Sequence, residues 1–145
     1  MNLKLQPMPH QDMDTARVLI ALEQDILPYS AEIDGFTRTW QEFVPPSYDP
    51  AVPTPVVFTM HGAGGWDTNQ KFAWALVARR EGFIVVYPQS ISNKVLWNCF
   101  GISDGKPGYP NELNYLDALF GIICGKYNVD RSRVYIHGQS MGDMM

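Results

Sequence analysis

A serine flanked by two glycines stands at the end of an apolar, β-branched segment. The run GQSMG at 138–142 follows RVYIH at 133–137 directly. A G-x-S-x-G run in this context is typical of a nucleophile elbow, in which a strand reverses sharply into a helix and the hydroxyl projects from the turn. Glycine on both sides removes Cβ atoms that would collide there. The sequence therefore predicts Ser140 as a nucleophile, although the same run occurs by chance in glycine-rich loops.

A second glycine-rich segment lies upstream, where MHGAGGW at 60–66 follows the apolar run PVVFT at 55–59. Acyl-transfer enzymes place one donor of the oxyanion hole in a His-Gly-rich loop that leaves an early strand. Small residues there let main-chain N–H groups approach the substrate closely. A flexible turn or a phosphate-cradling loop is the alternative, but no Lys-Ser/Thr pair follows and G-x-G-x-x-G does not fit. The two motifs together favour acyl transfer.

The elements between these motifs predict how they are positioned. Residues 13–27 are predicted as a helix, because Leu19, Leu22 and Ile26 fall on one face and Pro28 follows. Residues 36–44 mix aromatic, β-branched and polar residues and predict an antiparallel or edge strand. We therefore expect an accessory helix and linker over 1–34 and the main domain over 35–145.

Strands and helices alternate through the main domain. Helices are predicted at 68–80 and 112–126, with Leu113, Leu116, Phe120 and Ile123 as the core-facing stripe of the second. The apolar run at 83–87 predicts a buried strand that Pro88 ends. Strands separated by helices indicate βαβ crossovers, so the predicted fold class is α/β with a mostly parallel sheet.

A long irregular stretch at 91–111 separates the buried strand from the next helix. It carries glycine, asparagine, proline and three aromatic residues that we expect to be exposed, Trp97, Phe100 and Tyr109. Such a stretch beside the carboxyl end of a strand is either a substrate-binding loop or an ordinary surface excursion. The sequence leaves both interpretations open.

Composition excludes several classes of function. The 145 residues and 46% hydrophobic content are ordinary for one globular domain. A net charge of −4 with scattered basic residues argues against a nucleic-acid or membrane-surface partner. Neither a spanning segment nor a signal peptide is visible. Cys99 and Cys124 lack metal-ligand spacing, and the sequence does not say whether they pair.

With both loops in place, the chain resembles the α/β-hydrolases, and more narrowly the polyhydroxybutyrate depolymerase and feruloyl-esterase-like group, over about 35–145. The resemblance rests on the elbow, the glycine loop and four shorter runs: PPSYD at 45–49, EGFIVVYP at 81–88, WN at 97–98 and YNVD at 127–130. It implies that Ser140 is the nucleophile. It also implies main-chain N–H donors from Met141 and from Ala63, with Gly64 as the second choice in the loop. Asp143 departs from the glycine common at its position.

The resemblance also implies partners for the serine. A serine hydroxyl needs a general base, and the base needs an acid to orient it. In this fold the acid and the histidine follow the serine in the chain, yet only five residues follow Ser140 and none is histidine. We expect His61 to brace its loop, His137 to point away from Ser140, and His10 to lie in a mobile terminus. The stretch is therefore interpreted as an N-terminal portion, truncated after the elbow, that is inactive and aggregation-prone alone.

The function that the resemblance implies is hydrolysis of a carboxylic ester, small or polymeric, through an acyl-enzyme. A serine peptidase or an acyltransferase of the same fold, or a non-catalytic binding module, are the alternatives, whereas a nucleotide-binding domain is disfavoured. No metal and no organic cofactor is implied, and the oligomeric state is open. A cytoplasmic location is expected by default, although many proteins of this group are exported.

Overall fold

The computed structural model of the chain describes residues 13–91, 97–99 and 108–145. Five strands, three α-helices and a terminal 3-10 turn follow one another in these ranges. In chain order they are α1 (Met13–Asp25), β1 (Ile26–Ile33), β2 (Phe36–Phe43), β3 (Thr54–Met60), α2 (Thr68–Glu81), β4 (Ile84–Gln89), α3 (Glu112–Lys126), β5 (Val129–Gly138) and the turn at Ser140–Met144.

The strands form one sheet in the order β1-β2-β4-β3-β5. Strand β4 lies at its centre, and β3 pairs in parallel with β4 on one side and with β5 on the other. Strands β1 and β2 pair antiparallel, and β2 pairs antiparallel with β4. The α/β class is thus confirmed, and the sheet is mixed, since the parallel pairs occupy only one half of it.

A β-hairpin replaces the predicted linker. Helix α1 ends at Asp25, two residues before the predicted end, and β1 joins β2 through Asp34 and Gly35, whose φ angles are 54° and 77°. An Asp-Gly pair with both φ angles positive is the favoured two-residue hairpin turn. Strand β1 therefore belongs to the same sheet as the main domain and makes β2 an interior strand. For residues 36–44 the sequence predicted an antiparallel or an edge strand. The antiparallel pairing is confirmed, whereas β2 does not lie at an edge.

Proline interrupts none of the three strands that contain it, β1, β3 and β4. Pro28 lies in β1, the outermost strand of the described sheet, where proline is usually tolerated. Pro88 pairs with Trp40 inside the register of β2 and β4. The prediction that Pro88 ends the strand was therefore wrong by one residue, because β4 continues to Gln89.

The helices cover both faces of the sheet. Helices α1 and α2 pack one face, where Leu22, Ala75 and Ala78 meet Phe43 and Val85. Helix α3 packs the opposite face of the sheet. The strand residues that it contacts alternate along the strands with those that contact α1 and α2. Its cluster includes Val56, Phe58, Ile84, Val86, Tyr115, Leu119 and Ile123.

The boundaries of α2 and α3 agree with prediction to within one residue, and Leu116, Phe120 and Ile123 of the predicted stripe pack against the core, but Leu113 does not. Leu113 is 63% exposed, whereas Tyr115 is buried and donates its phenol to the carbonyl of Thr39 at 2.8 Å. The Arg38 guanidinium lies 3.7 Å from the centre of the Tyr115 ring and pairs with Glu112, a buried ion pair that joins β2 to α3. This polar contact, which alternation alone does not reveal, sets the rotation of the helix.

Two properties bear on partners and cofactors. In the ranges that the structure describes, no helix is both long enough and apolar enough to cross a bilayer. Cys99 is buried, Cys124 is partly exposed, and both are free thiols.

Candidate active site

Ser140 has a strained backbone at the end of β5. Its φ of 53° lies in the left-handed region, which residues other than glycine rarely adopt. The flanking glycines are sterically required: a Cβ on Gly138 would overlap the main chain of Gly142, and one on Gly142 would lie 2.6 Å from the carbonyl oxygen of Met60. The turn thus has the tight geometry that the G-x-S-x-G run predicts.

The glycine loop after β3 lies against this turn. The N–H of Gln139 donates to the carbonyl oxygen of Met60 at 3.2 Å. A Cβ placed on Gly62 would stand 3.3 Å from the Gln139 carbonyl oxygen and 3.5 Å from the Ser140 Cβ. Two motifs that are separated by more than seventy residues of sequence therefore meet at one point.

The candidate oxyanion donors lie in the exposed part of this loop. Gly64 and Gly65 have φ angles of 92° and 97°, and the N–H of Gly65 turns back to the carbonyl of Gly62 at 3.3 Å. Ala63 and Gly64, which lie between Gly62 and Gly65 in the chain, are exposed. Within the described ranges, neither of their N–H groups is bonded to a main-chain carbonyl, so both remain candidate donors to a ligand oxygen.

His61 braces the loop from inside. Its Nδ1 lies 2.6 Å from the Gly62 carbonyl oxygen, and its Nε2 accepts the main-chain N–H of Ser90 at 3.2 Å. These partners fix a neutral ring that is protonated on Nδ1. Burial lowers the pKa of His61 below its usual value, because a charged ring would lose hydration. With both nitrogens engaged, His61 is placed as a structural residue and not as a base for Ser140.

Two tryptophans complete the brace, and sequence reasoning missed both. Trp97 is 3% exposed, stacks on the His61 ring at 4.7 Å, and donates its indole N–H to the His61 carbonyl at 2.8 Å. Trp66 meets the same ring edge-on at 5.7 Å. The expectation that Trp97 is exposed was wrong, because its indole fills the space beneath the loop. Tyr109 is 58% exposed as expected, and Phe100 lies outside the described residues.

The other histidines do not supply a base within the described ranges. The His137 Nδ1 lies 3.0 Å from the Thr59 hydroxyl, and its ring packs 5.0 Å from the Trp74 ring. His137 therefore points along the α2 face of the sheet, as predicted, and His10 lies outside the described residues. Asp143 is exposed in the turn that contains Ser140.

A cleft opens beside the glycine loop on the α2 face. It has a volume of about 890 Å³, within the usual range for a small-molecule site, and Gly64, Gly65 and Trp66 form one wall. Strands β1, β2 and β4 supply the floor at the carboxyl end of β4. The glycine loop therefore faces the elbow at Gly62 and borders an open cleft at Gly64 and Gly65.

Comparison with known proteins finds esterases repeatedly. No protein-family model matches the chain. Feruloyl esterase B of Neurospora crassa is 31% identical over 97 residues, which cover 62% of this chain and 32% of that protein. A bifunctional acetylxylan esterase/xylanase of Neocallimastix patriciarum is 30% identical over 94 residues, 63% of this chain and 13% of that protein. The chain thus spans at most about one third of either relative.

Solved structures extend the likeness to most of the described fold. A thermostable esterase superposes with a TM-score of 0.66 at 26% identity, over 84% of this chain and 36% of that one. The poly(3-hydroxybutyrate) depolymerase of Bordetella parapertussis gives 0.63 at 19% identity, over 88% of this chain and 47% of that one. An acetyl xylan esterase from Aspergillus awamori gives 0.65 at 20%, over 81% and 44%. The chain therefore has the α/β-hydrolase fold, and several of its neighbours within that fold are esterases, as the resemblance in its sequence predicted.

Proposed function

We propose that this chain contributes the nucleophile and the oxyanion hole of a serine hydrolase that cleaves carboxylic esters. The observation that carries the proposal is the meeting of the two motifs: the Gln139 N–H donates to the Met60 carbonyl, and a methyl group on Gly62 would contact the Cβ of Ser140. The repeated similarity to esterases supports the same reaction class.

The chemistry follows from the positions of the groups. The Ser140 Oγ attacks the ester carbonyl while a base takes its proton, and the carbonyl oxygen becomes an oxyanion. The N–H groups of Met141 and Ala63, or of Gly64 in place of Ala63, stabilise that charge because they are held before the reaction begins. Collapse expels the alcohol and leaves an acyl-enzyme, which water then hydrolyses.

The base and its acid come from polypeptide outside the described ranges. His61 and His137 have other partners, and the exposed Asp143 is too close to Ser140 in sequence to orient a histidine against it. In this fold both partners follow the nucleophile in chain order. We therefore propose that the residues described here form the nucleophile-bearing part of a longer catalytic unit.

Fluorophosphonate labelling of the full-length protein tests the proposal. The probe reacts with an activated serine, so intact-mass analysis should show one adduct, absent in Ser140→Ala and retained in Ser132→Ala. Ser132 is the matched control, because it lies exposed in the same strand. An unlabelled wild-type protein would instead indicate a binding module that keeps the fold without the reaction.

A serine peptidase is the second candidate, favoured by one specific similarity. A probable dipeptidyl-aminopeptidase B of Ajellomyces capsulatus is 31% identical over 132 residues, 88% of this chain and 14% of that protein. Peptidase and esterase share the nucleophile and the oxyanion hole, so these residues do not separate them. Comparing kcat/KM of the full-length protein for a dipeptide p-nitroanilide and for p-nitrophenyl acetate decides between them.

A further inference from the structure

The cleft beside the glycine loop has a floor rich in hydrogen-bonding groups. Antiparallel pairing places Ser30 opposite Thr39 and Pro28 opposite Gln41 on its floor, and Gln89 pairs with Thr39 from the other side. These residues share a face with the α2 core. Unlike that core, this end of the face stays open to solvent, because α2 begins only at Thr68.

Lys71 is the only charged residue among those that line the cleft within the described ranges. Its Nζ donates to the Gln41 Oε1 at 3.0 Å, and no described carboxylate forms an ion pair with it. Asp67, which caps α2 four residues before Lys71, accepts the N–H of Gln70. The ammonium therefore keeps two N–H donors for a ligand.

One neighbour of Lys71 also presents donors to the cleft. Gln41 uses its carbonyl oxygen on Lys71, which leaves its amide NH₂ group for a ligand. The Tyr87 hydroxyl donates to the main-chain carbonyl of Lys71 at 2.9 Å, so it fixes the first turn of α2 over the cleft. Cation and amide donors on a fixed frame match an acceptor of negative charge.

We propose that this cleft binds a carboxylate carried by the ester substrate, with Lys71 as the residue that selects for it. The inference rests on the proposed esterase function for its substrate, an ester whose acyl or alcohol part bears a second, ionised carboxyl group. Gly64 and Gly65 border the cleft, and Gly62 faces Ser140 so closely that a methyl group on it would contact the Ser140 Cβ. A ligand whose ester carbonyl lies at the elbow therefore reaches the cleft across the loop.

Binding of a matched pair of small esters tests the proposal without requiring turnover. Monomethyl succinate carries the carboxylate, and dimethyl succinate is its neutral counterpart. Titration of the ¹⁵N-labelled full-length protein, followed at the amides of Gly64 and Gly65, should show about fivefold tighter binding of the anionic ester at low salt, the size expected for a partly exposed ion pair. The preference should shrink as salt is added, since the charges become screened.

Substitution of Lys71 assigns the preference to its charge. Lys71→Met should remove the preference and Lys71→Arg should retain it, with Lys71→Gln as a second neutral variant, each folded by circular dichroism. Equal affinities in the wild type, absence of shifts at the loop, or a preference that survives Lys71→Met would overturn the proposal. Fluorophosphonate labelling reports the reaction separately, so a failed cleft and a failed elbow give different results.

Discussion

The two loops that meet at the candidate site are held in opposite ways. The glycine loop after β3 is fixed through buried side chains, with His61 between Trp66 and Trp97 and both of its nitrogens bonded. The elbow after β5 is fixed through the main chain, where Gly138 and Gly142 leave no room for a Cβ. The glycine loop depends on the contacts of buried side chains, whereas the elbow depends on the absence of a side chain at Gly138 and Gly142.

This contrast decides what the sequence reveals. A turn held by main-chain contact requires glycine at fixed positions, so the elbow is readable as a motif. A loop held by side chains depends on Trp97, which comes from a distant segment with no spacing relationship to His61. The motif predicted the loop, but its anchor is visible only in the structure.

The largest effect should come from Gly138→Ala. The new methyl group would overlap the Gly142 carbonyl, so the elbow must open, and we expect a loss of at least about 3 kcal/mol in the free energy of unfolding. Urea denaturation measures it. Gly121→Ala is the matched control: no atom lies within 4 Å of its Cβ position in α3, and it should stabilise by about 0.5–1 kcal/mol. Similar values for the two variants would contradict the main-chain account of the elbow.

Trp97→Phe addresses the other loop. The variant loses the hydrogen bond to the His61 carbonyl and part of the indole volume, so we expect about 2 kcal/mol of destabilisation. Trp74→Phe serves as the control, because Trp74 is only partly buried and its indole N–H has no hydrogen-bond partner among the described residues. Equal urea midpoints for the two variants would show that the brace contributes nothing.

Ser140→Gly relaxes the elbow instead of breaking it. Glycine adopts a φ of 53° without steric cost, so stability should rise by about 1 kcal/mol while fluorophosphonate labelling disappears. Ser140→Ala keeps the strain and should show no such gain. A destabilised Ser140→Gly protein would mean that the serine side chain supports the turn.

Acidification should produce the smallest effect, and it should act on the glycine loop. The pKa of His61 is lower in the folded state, because burial disfavours the charged ring, although the field of Glu112 partly opposes this. As the pH falls through about 6.5, the unfolded chain therefore binds a proton at His61 that the native protein does not bind. The contribution of His61 to the free energy of unfolding is thus fully present above that pH and is lost progressively below it. In His61→Gln, the urea midpoint should therefore change less between pH 7 and pH 5 than it does in the wild type. An unchanged pH dependence would mean that another group causes the loss of stability.

The fold could be predicted from the sequence except on its antiparallel side. Helix α3 agrees with prediction at both ends, because Asn111 caps it and its apolar residues recur at helical spacing. The β1–β2 hairpin was missed, although Asp34-Gly35 between two β-prone runs is its usual signal. Leu22 and Ile26 continue the helical spacing of α1 into the first residue of β1, and that continuity hid the boundary.

The candidate site was readable in part. Ser140 and the glycine loop follow from motifs, and the structure brings them together, while their catalytic roles stay predictions. The cleft was not readable, because Ser30, Gln41 and Lys71 belong to three separate elements with no shared spacing. Only the pairing of strands brings such residues to one place.

The two-residue turn at Asp34–Gly35 has a consequence for how this chain tolerates change. It sets the frame in which β1 lies on β2, with Ser30 opposite Thr39. Adding or deleting one residue there would slide the strand by a single position, so that Ser30 would no longer lie opposite Thr39 on the cleft floor. The length of this turn, which is far from Ser140 in sequence, thus determines which side chains of β1 a ligand in the cleft would contact.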